Sequence, residues 1–452
     1  MKVEYGESHA LQASTRVPFY SRTIRLHPGL IKLDAPSSMP HDFPLSTPLV
    51  PARSAWRLLA ALCCYAALLA YGSLYPFTHW QAPALPAMTF LLRWPAHLDK
   101  ADVLQNVLVY APFGLLAALW LAGTMQARRA ALLATAMGIA LSIVMECLQQ
   151  FNPARVASLV DIAMNGLGSA MGALLAGTML RHTLSGALAL AWRDRWFRHG
   201  ALANTGLVIV GLWLLSQTSP LVPTLDISHL RRALSGLWHA LRDPRLIVMS
   251  QLLTYACLLA SMAAMFLLLA RPGKPALRLF ALTLLALLMS KALIVGRVLS
   301  LEACIGAFIA LLASLPLRAL PLRVLPWLGM LMIMLGFSIA ELAPGPPWMV
   351  AAFNWTLFAG QMRSVAGLSN ILELLWLFMA LAWFMRIALP GGGTRRIALA
   401  GAVLTATVVF GLEWQQQFHG RYGDITQVML CVAGWLIPWC VPTADRPLEP
   451  PI

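Results

Sequence analysis

Two stretches of the chain carry the same polar pattern: Glu-x-x-Gln-Gln-Phe, then an arginine, then an aspartate that opens the next apolar stretch. The first begins at Glu146 and the second at Glu413. Carboxylates can act as general acids or bases, and arginine binds phosphate through two parallel hydrogen bonds. Both stretches interrupt strongly apolar sequence, where charged side chains are costly and are usually kept for a function. They are therefore the first candidates for a site.

The composition around these stretches is typical of a membrane protein. Of the 452 residues, 59% are hydrophobic and 11% are charged, and the mean hydropathy is +0.71. A soluble protein of this length needs more polar surface, so we expect an all-α, polytopic helical membrane protein in the lipid bilayer. The net charge of +15 does not indicate nucleic-acid binding, because the basic residues lie in short clusters between apolar runs. The seven cysteines lack the spacing of zinc ligands, and we expect neither a metal nor another cofactor.

About twelve apolar runs are long enough to span a membrane, which takes about 20 residues each. They are 55–75, 103–123, 130–148, 159–180, 202–218, 247–270, 276–295, 301–316, 323–341, 367–386, 396–413 and 426–441. Arginine and lysine recur in every second loop, which predicts an inner-membrane protein with both termini in the cytoplasm. Residues 226–245 are basic although expected outside, and their leucines at helical spacing predict an amphipathic helix on the membrane surface.

This topology brings both Glu-x-x-Gln-Gln-Phe stretches to the outer face, eight spans apart, so they predict parallel repeats. It also brings the polar ends of spans two, three and four together there. The predicted cluster consists of Asp102, Asn106, Glu146, Gln149, Arg155, Asp161 and Asn165. Residues three or four apart share a helical face, so each span presents its polar residues as a group.

These residues resemble the VanZ-like membrane proteins. The resemblance covers roughly residues 55–180, and besides the cluster it includes Pro112 and Gly114 of Asp-x-x-x-Asn-x-x-x-x-x-Pro-x-Gly. It implies a small helical bundle in the cell envelope, with expected links to glycopeptide-antibiotic resistance or surface polysaccharides. It implies no known reaction.

The second stretch belongs to a diverged copy of the same unit. This copy retains Asn370, Glu413, Gln416, Arg421 and Asp424. Ala366 stands where the first copy has Asp102, and Val428 stands where it has Asn165. We therefore expect a disordered cytoplasmic tail (1–52), a first VanZ-like unit (53–182), connecting transmembrane and interfacial helices (183–320), a second, diverged VanZ-like unit (321–445) and a C-terminal tail (446–452). Met39 also permits a start within the tail.

Three functions fit these patterns. In the first, the outward cluster binds an anionic lipid or a lipid-linked glycan of the envelope. In the second, the protein is an enzyme that acts on such a glycan with Glu146 or Asp161 as the acid–base group, although no Ser/His/Asp, Cys/His or zinc motif supports this. The third is a transporter, but a transporter's polar residues are expected at the bilayer midplane, whereas those of this chain cluster at one interface. A purely structural role explains the same residues, because ion pairs could hold the hairpin and asparagines could bond neighbouring helices.

Overall fold

The computed structural model describes residues 52–441, except 76, 78–79, 84–85, 87, 93–99, 154, 180–183, 220, 225, 345–351, 362–364 and 391–393. Apart from Ala52, which begins the first helix, the two tails predicted at the ends of the chain lie outside the described residues.

Within this part of the chain the regular structure is helical. In order, the helices are α1 (Ala52–Leu74), α2 (Lys100–Leu121), α3 (Ala127–Gln149), α4 (Leu159–Met179), α5 (Leu184–Trp196), α6 (Ala201–Thr218), α7 (Ile227–Arg242), α8 (Met249–Leu269), α9 (Ala276–Leu293), α10 (Leu301–Leu317), α11 (Leu325–Leu342), α12 (Val365–Ala388), α13 (Thr394–Gln416) and α14 (Ile425–Cys440). Short 3-10 turns lie at Thr89–Leu92 and Pro244–Leu246.

The apolar helices agree with the predicted spans. Among the described residues, ten helices are long and apolar enough to cross a membrane, and α10 and α14 are shorter apolar helices of 17 and 16 residues. Each of these twelve helices coincides with one predicted span to within three residues at either end. The prediction of a polytopic helical membrane protein is therefore confirmed, whereas helix α5 was not predicted.

Helix α7 is the amphipathic helix predicted at 226–245. The Asp226 side chain accepts a hydrogen bond from the Ser228 backbone N–H and so caps its first turn. Ala233 and Ala240 are buried against the protein, while large apolar side chains such as Trp238 are exposed. The exposed apolar side suits a helix that lies at a membrane surface.

Two hydrophobic clusters hold the helices together. The first is built from α1 to α4, and the second extends over α6 and α8 to α14. Within the first, glycines of α4 allow its backbone to pack directly on α2: an added Cβ on Gly168 would overlap the backbone of Val107, and one on Gly172 that of Ala111. Tyr71 of α1 packs against the second cluster, and its hydroxyl donates to the Leu357 carbonyl oxygen at 2.7 Å.

The topology predicts which loop cysteines react with a membrane-impermeant maleimide. Val156 and Phe418 are 86% and 72% exposed and follow α3 and α13, whereas the exposed Gln126 precedes α3 at its other end. In a cysteine-free background we expect Val156→Cys and Phe418→Cys to be labelled from outside intact cells, and Gln126→Cys only after permeabilisation. Labelling of positions 156 and 418 from opposite sides would contradict the parallel arrangement.

Candidate functional site

The seven predicted residues of the first unit meet at one end of the α1–α4 bundle. Asp102 and Asn106 lie in the first turns of α2, and Asp161 and Asn165 lie in those of α4. The other three belong to the end of α3 and the loop after it. Because the ends of α1 and α3 lie beside the beginnings of α2 and α4, these side chains reach the same level of the bundle.

Three of the polar side chains around this loop cap the C-terminal end of α1. Arg155 donates from Nε to the Tyr75 carbonyl oxygen at 2.8 Å and from Nη2 to that of Gly72 at 2.9 Å. The Gln149 amide donates to the Ser73 carbonyl oxygen at 2.8 Å. The buried Asn152 amide donates to the Leu74 carbonyl oxygen at 3.2 Å. The last carbonyls of a helix have no partner within the helix, so this cap satisfies groups that are otherwise left unpaired.

The charge of Arg155 is held mainly by neutral groups. Among the described residues, no carboxylate oxygen lies within 4.0 Å of its guanidinium. Burial lowers the pKa of Arg155, and the charge of nearby Glu146 opposes that shift. Arg155 therefore caps a helix in place of the ion pair that was considered from the sequence.

Carboxylates and amides form the other half of the cluster. Glu146 is only 3% exposed, and its Oε2 accepts the Ser158 backbone N–H at 2.8 Å. The Asn106 amide donates to Asp161 Oδ1 at 2.8 Å, which joins α2 to α4. These bonds tie the hairpin between α3 and α4 to the bundle and leave Asp161 partly accessible.

Beneath the carboxylates lie three buried polar side chains that the sequence reasoning missed, those of Ser142, Tyr110 and Ser169. The Asn165 amide donates to Ser142 Oγ at 2.9 Å, but its Oδ1 has no hydrogen-bond partner among the described residues. The same is true of Tyr110 Oη and Ser169 Oγ. Ser142 lies four residues before Glu146, so helical spacing could have shown that both share one face of α3.

The second predicted cluster repeats the cap. Arg421 donates from Nη1 to the carbonyl oxygens of Ala340, Glu341 and Ala343 at 2.8, 3.0 and 3.3 Å, and all three lie at the end of α11. Its Nη2 also lies 3.3 Å from the Glu341 carboxylate. Ala340 and Ala343 are three residues apart, as are Gly72 and Tyr75 in the first unit.

The second cluster also repeats the buried glutamate. Glu413 is fully buried, and its Oε2 accepts the Asp424 backbone N–H at 2.8 Å. Asp424 in turn accepts the Thr426 backbone N–H at 2.9 Å and caps α14. Gln361 connects Asp424 with Asn370, at 3.1 and 3.4 Å respectively. All five predicted residues of this copy therefore lie in one hydrogen-bonded neighbourhood, together with Gln361, which the sequence did not indicate.

A small pocket opens beside the second cluster, with about 280 Å³ of empty space that includes its open side. Polar and apolar residues both line it, and the Gln416 amide is bonded to both Glu341 and Glu413 at its edge. The lining residues are Glu341, Leu342, Ala343, Leu412, Gln415, Gln416, His419 and Arg421. In the described part of the chain, no group of three or more His, Cys, Asp or Glu side chains could hold a metal ion.

The twelve apolar helices and the buried polar ends define a polytopic helical membrane protein. Residues 53–180 match the family model described as VanZ/LLP1. The chain therefore contains a VanZ-like domain, and the resemblance seen in its motifs is confirmed over that range. A search of curated proteins and a search of solved structures each found no match.

Proposed function

We propose that this VanZ-like membrane protein binds a polar component of the cell envelope, a lipid-linked glycan or a related head group, at the outer ends of its helices. The observation that carries the proposal is the pocket beside Arg421, where a cation, two amides and a carboxylate line one opening. A role in polysaccharide synthesis or in glycopeptide resistance follows from such a ligand.

We further propose that the ligand sites belong to two parallel copies of one unit. Three contacts support this: an arginine caps the first helix of each unit, a buried glutamate accepts the backbone N–H three residues after that arginine, and a glutamine bonds at the same helix end. The same contacts made by residues at matching spacing favour duplication over chance.

The cap alters how each arginine contributes to binding. Because Arg155 already donates to two carbonyls, its role toward a ligand is mainly the positive potential that it keeps after capping. Direct contacts come from accessible acceptors and donors, namely Asp102 and Asp161 in the first unit and His419 in the second. Carboxylates that accept hydroxyl hydrogen bonds suit a sugar, and a nearby guanidinium suits its phosphate.

The test is binding of a polyprenyl-diphosphate-linked disaccharide to the full chain in nanodiscs. We expect Asp161→Asn and His419→Ala each to weaken binding about tenfold, as the loss of a charge-assisted hydrogen bond predicts, with unchanged membrane abundance. Asp194→Asn is the matched control, because Asp194 is a half-exposed carboxylate that pairs with Arg193 in the last turn of α5.

Equal binding by wild type and by the Asp161→Asn/His419→Ala double variant would refute the proposed site. Release of product from the glycan, abolished by Glu146→Gln, would instead establish the enzyme.

A further inference from the structure

A third arginine makes the same cap in the middle of the chain. Arg297 follows α9 and donates from Nε to the Ser219 carbonyl oxygen and from Nη2 to that of Ser216, both at 2.7 Å. These carbonyls lie at the end of α6 and are again three residues apart. Arg155 uses the same two nitrogens on the end of α1.

The register around the three arginines is identical. The next helix begins four residues after each of them, at Leu159, Leu301 and Ile425. The residue three positions after each arginine accepts a backbone N–H of that helix through its side chain. Arg-Val-x-Ser-Leu stands at both 155–159 and 297–301. Helices α6, α8, α9 and α10 therefore follow the plan of α1 to α4, with α7 in the segment after the first helix.

The packing within this middle bundle also follows that plan. A glycine of its fourth helix, Gly306, lies so close to α8 that an added Cβ would be 2.6 Å from the Tyr255 Cβ. The equivalent approach in the other bundles is that of Gly168 to Val107 and of Gly434 to the Leu375 carbonyl oxygen. In each case a small residue lets the fourth helix pack against the second.

The capped end of the middle bundle differs from the other two because it also buries a lysine. Lys291 is 6% exposed, and its Nζ lies 3.4 Å from the Tyr255 hydroxyl and 4.9 Å from the centre of that ring. Glu373 of α12 acts on both Lys291 and Arg297 electrostatically. Glu302, in the first turn of α10, is also buried at this end of the bundle. No carboxylate oxygen among the described residues lies within 4.0 Å of Lys291 Nζ or of the Arg297 guanidinium. A buried cation without a close counter-ion favours an anionic ligand.

An apolar groove lies between α6 and α9, and one end of it is lined by residues next in the chain to Lys291 and to the residues that Arg297 caps. Its residues are Leu214, Thr218, Leu282, Thr283, Ala286, Leu287 and Ser290, around about 800 Å³ of empty space that includes its open side. The hydroxyls of Thr218, Thr283 and Ser290 donate to carbonyls of their own helices, so the groove presents an apolar surface. Thr218 lies between the two residues capped by Arg297, and Ser290 directly precedes Lys291.

We propose that α6 to α10 form a third unit of the same plan and that its site binds a membrane phospholipid. One acyl chain lies in the α6–α9 groove, and the phosphate lies at Lys291 within the field of Arg297. An apolar groove lined at one end by chain neighbours of the buried Lys291 and of the residues that the half-buried Arg297 caps matches a molecule with an apolar chain and an anionic head. The site is independent of any glycan bound at the other two units.

The proposal is tested by native mass spectrometry of the full chain with added phosphatidylglycerol. We expect the wild type to retain one tightly bound lipid, and Lys291→Gln to lower its affinity about tenfold while Lys291→Arg restores it. Ala286→Trp should also remove the lipid, because Ala286 is an exposed groove residue that a large ring would fill.

Two matched variants separate the site from nonspecific binding. Lys274→Gln removes a lysine at the other end of α9, and Leu285→Trp adds a ring beside the groove at a residue that is 56% exposed; both should bind like the wild type. Equal phosphatidylglycerol binding by wild type, Lys291→Gln and Ala286→Trp would overturn the proposal. Protection of the protein by inorganic phosphate alone, without lipid, would also overturn it and indicate a soluble anion.

Discussion

Replacing Arg155 by glutamine should lower the stability of the protein by about 3 kcal/mol, because hydrogen bonds from a charged donor contribute about 1.5–3 kcal/mol each. The variant loses the bonds to Gly72 and Tyr75 and leaves the end of α1 uncapped. Unfolding in detergent, followed by heat and by denaturant, measures the change. Arg421→Gln should destabilise at least as much, because it loses three carbonyl contacts and the ion pair with Glu341.

The same pair of variants separates a cap from a ligand contact. Arg245→Gln is the control, since Arg245 is exposed and lies outside the helix ends concerned. If Arg155→Gln unfolds like the wild type but no longer binds the glycan, the cap is unimportant for stability and the arginine serves the ligand. A loss of stability that Arg155→Lys only partly restores supports the cap, because lysine lacks the planar fork that reaches two carbonyls.

Replacing Gly172 by alanine should be still more damaging. The added Cβ would overlap the Ala111 carbonyl oxygen, a backbone atom that cannot move without separating α4 from α2. Overpacking of this kind typically costs about 1–3 kcal/mol and more where backbone must shift, so we expect a loss above about 3 kcal/mol or failure to accumulate in the membrane. Protein abundance in membranes and thermal unfolding in detergent both report the effect.

Gly177 provides the matched control on the same helix. An added Cβ there meets no heavy atom within 4 Å in the described part of the chain. Gly177→Ala should therefore leave stability unchanged or raise it slightly, because alanine favours a helix over glycine by about 1 kcal/mol. Similar losses in the two variants would show that the α2–α4 contact does not depend on glycine.

Much of the fold was predictable because membranes impose a strong rule on sequence. A membrane span needs a long apolar run whose backbone groups hydrogen-bond to one another within the segment. The apolar runs in the sequence therefore indicated the positions of all twelve apolar helices that the structure describes. Helix α5 was missed because its 13 residues, including Arg193 and Arg195, are shorter and more polar than a span. Helix α7 was found because its leucines recur at helical spacing between arginines.

The candidate site was predictable in membership but not in its bonds. Asp102, Asn106, Glu146 and Asp161 were placed together because helical spacing and topology put them at one level. The partners of Arg155 were not predictable, since they are backbone carbonyls about 80 positions earlier in the chain. Every residue has a backbone carbonyl, so residue type does not show which one will be bound. Glu341 was missed because the first unit has Ser73 at the matching position, so a comparison of the two units does not indicate a carboxylate there.

The sequence by itself determined that this chain is a helical membrane protein with a VanZ-like stretch at residues 53–180 and polar residues at matching helix ends. Residue type and spacing suffice for that, because they fix which segments enter the bilayer and which side chains share a face. Only the tertiary structure decided what those side chains bind. It also showed that Arg297 makes the same cap as Arg155 and Arg421, because helix ends far apart in the chain meet only after packing, and packing depends on surfaces that no single segment carries.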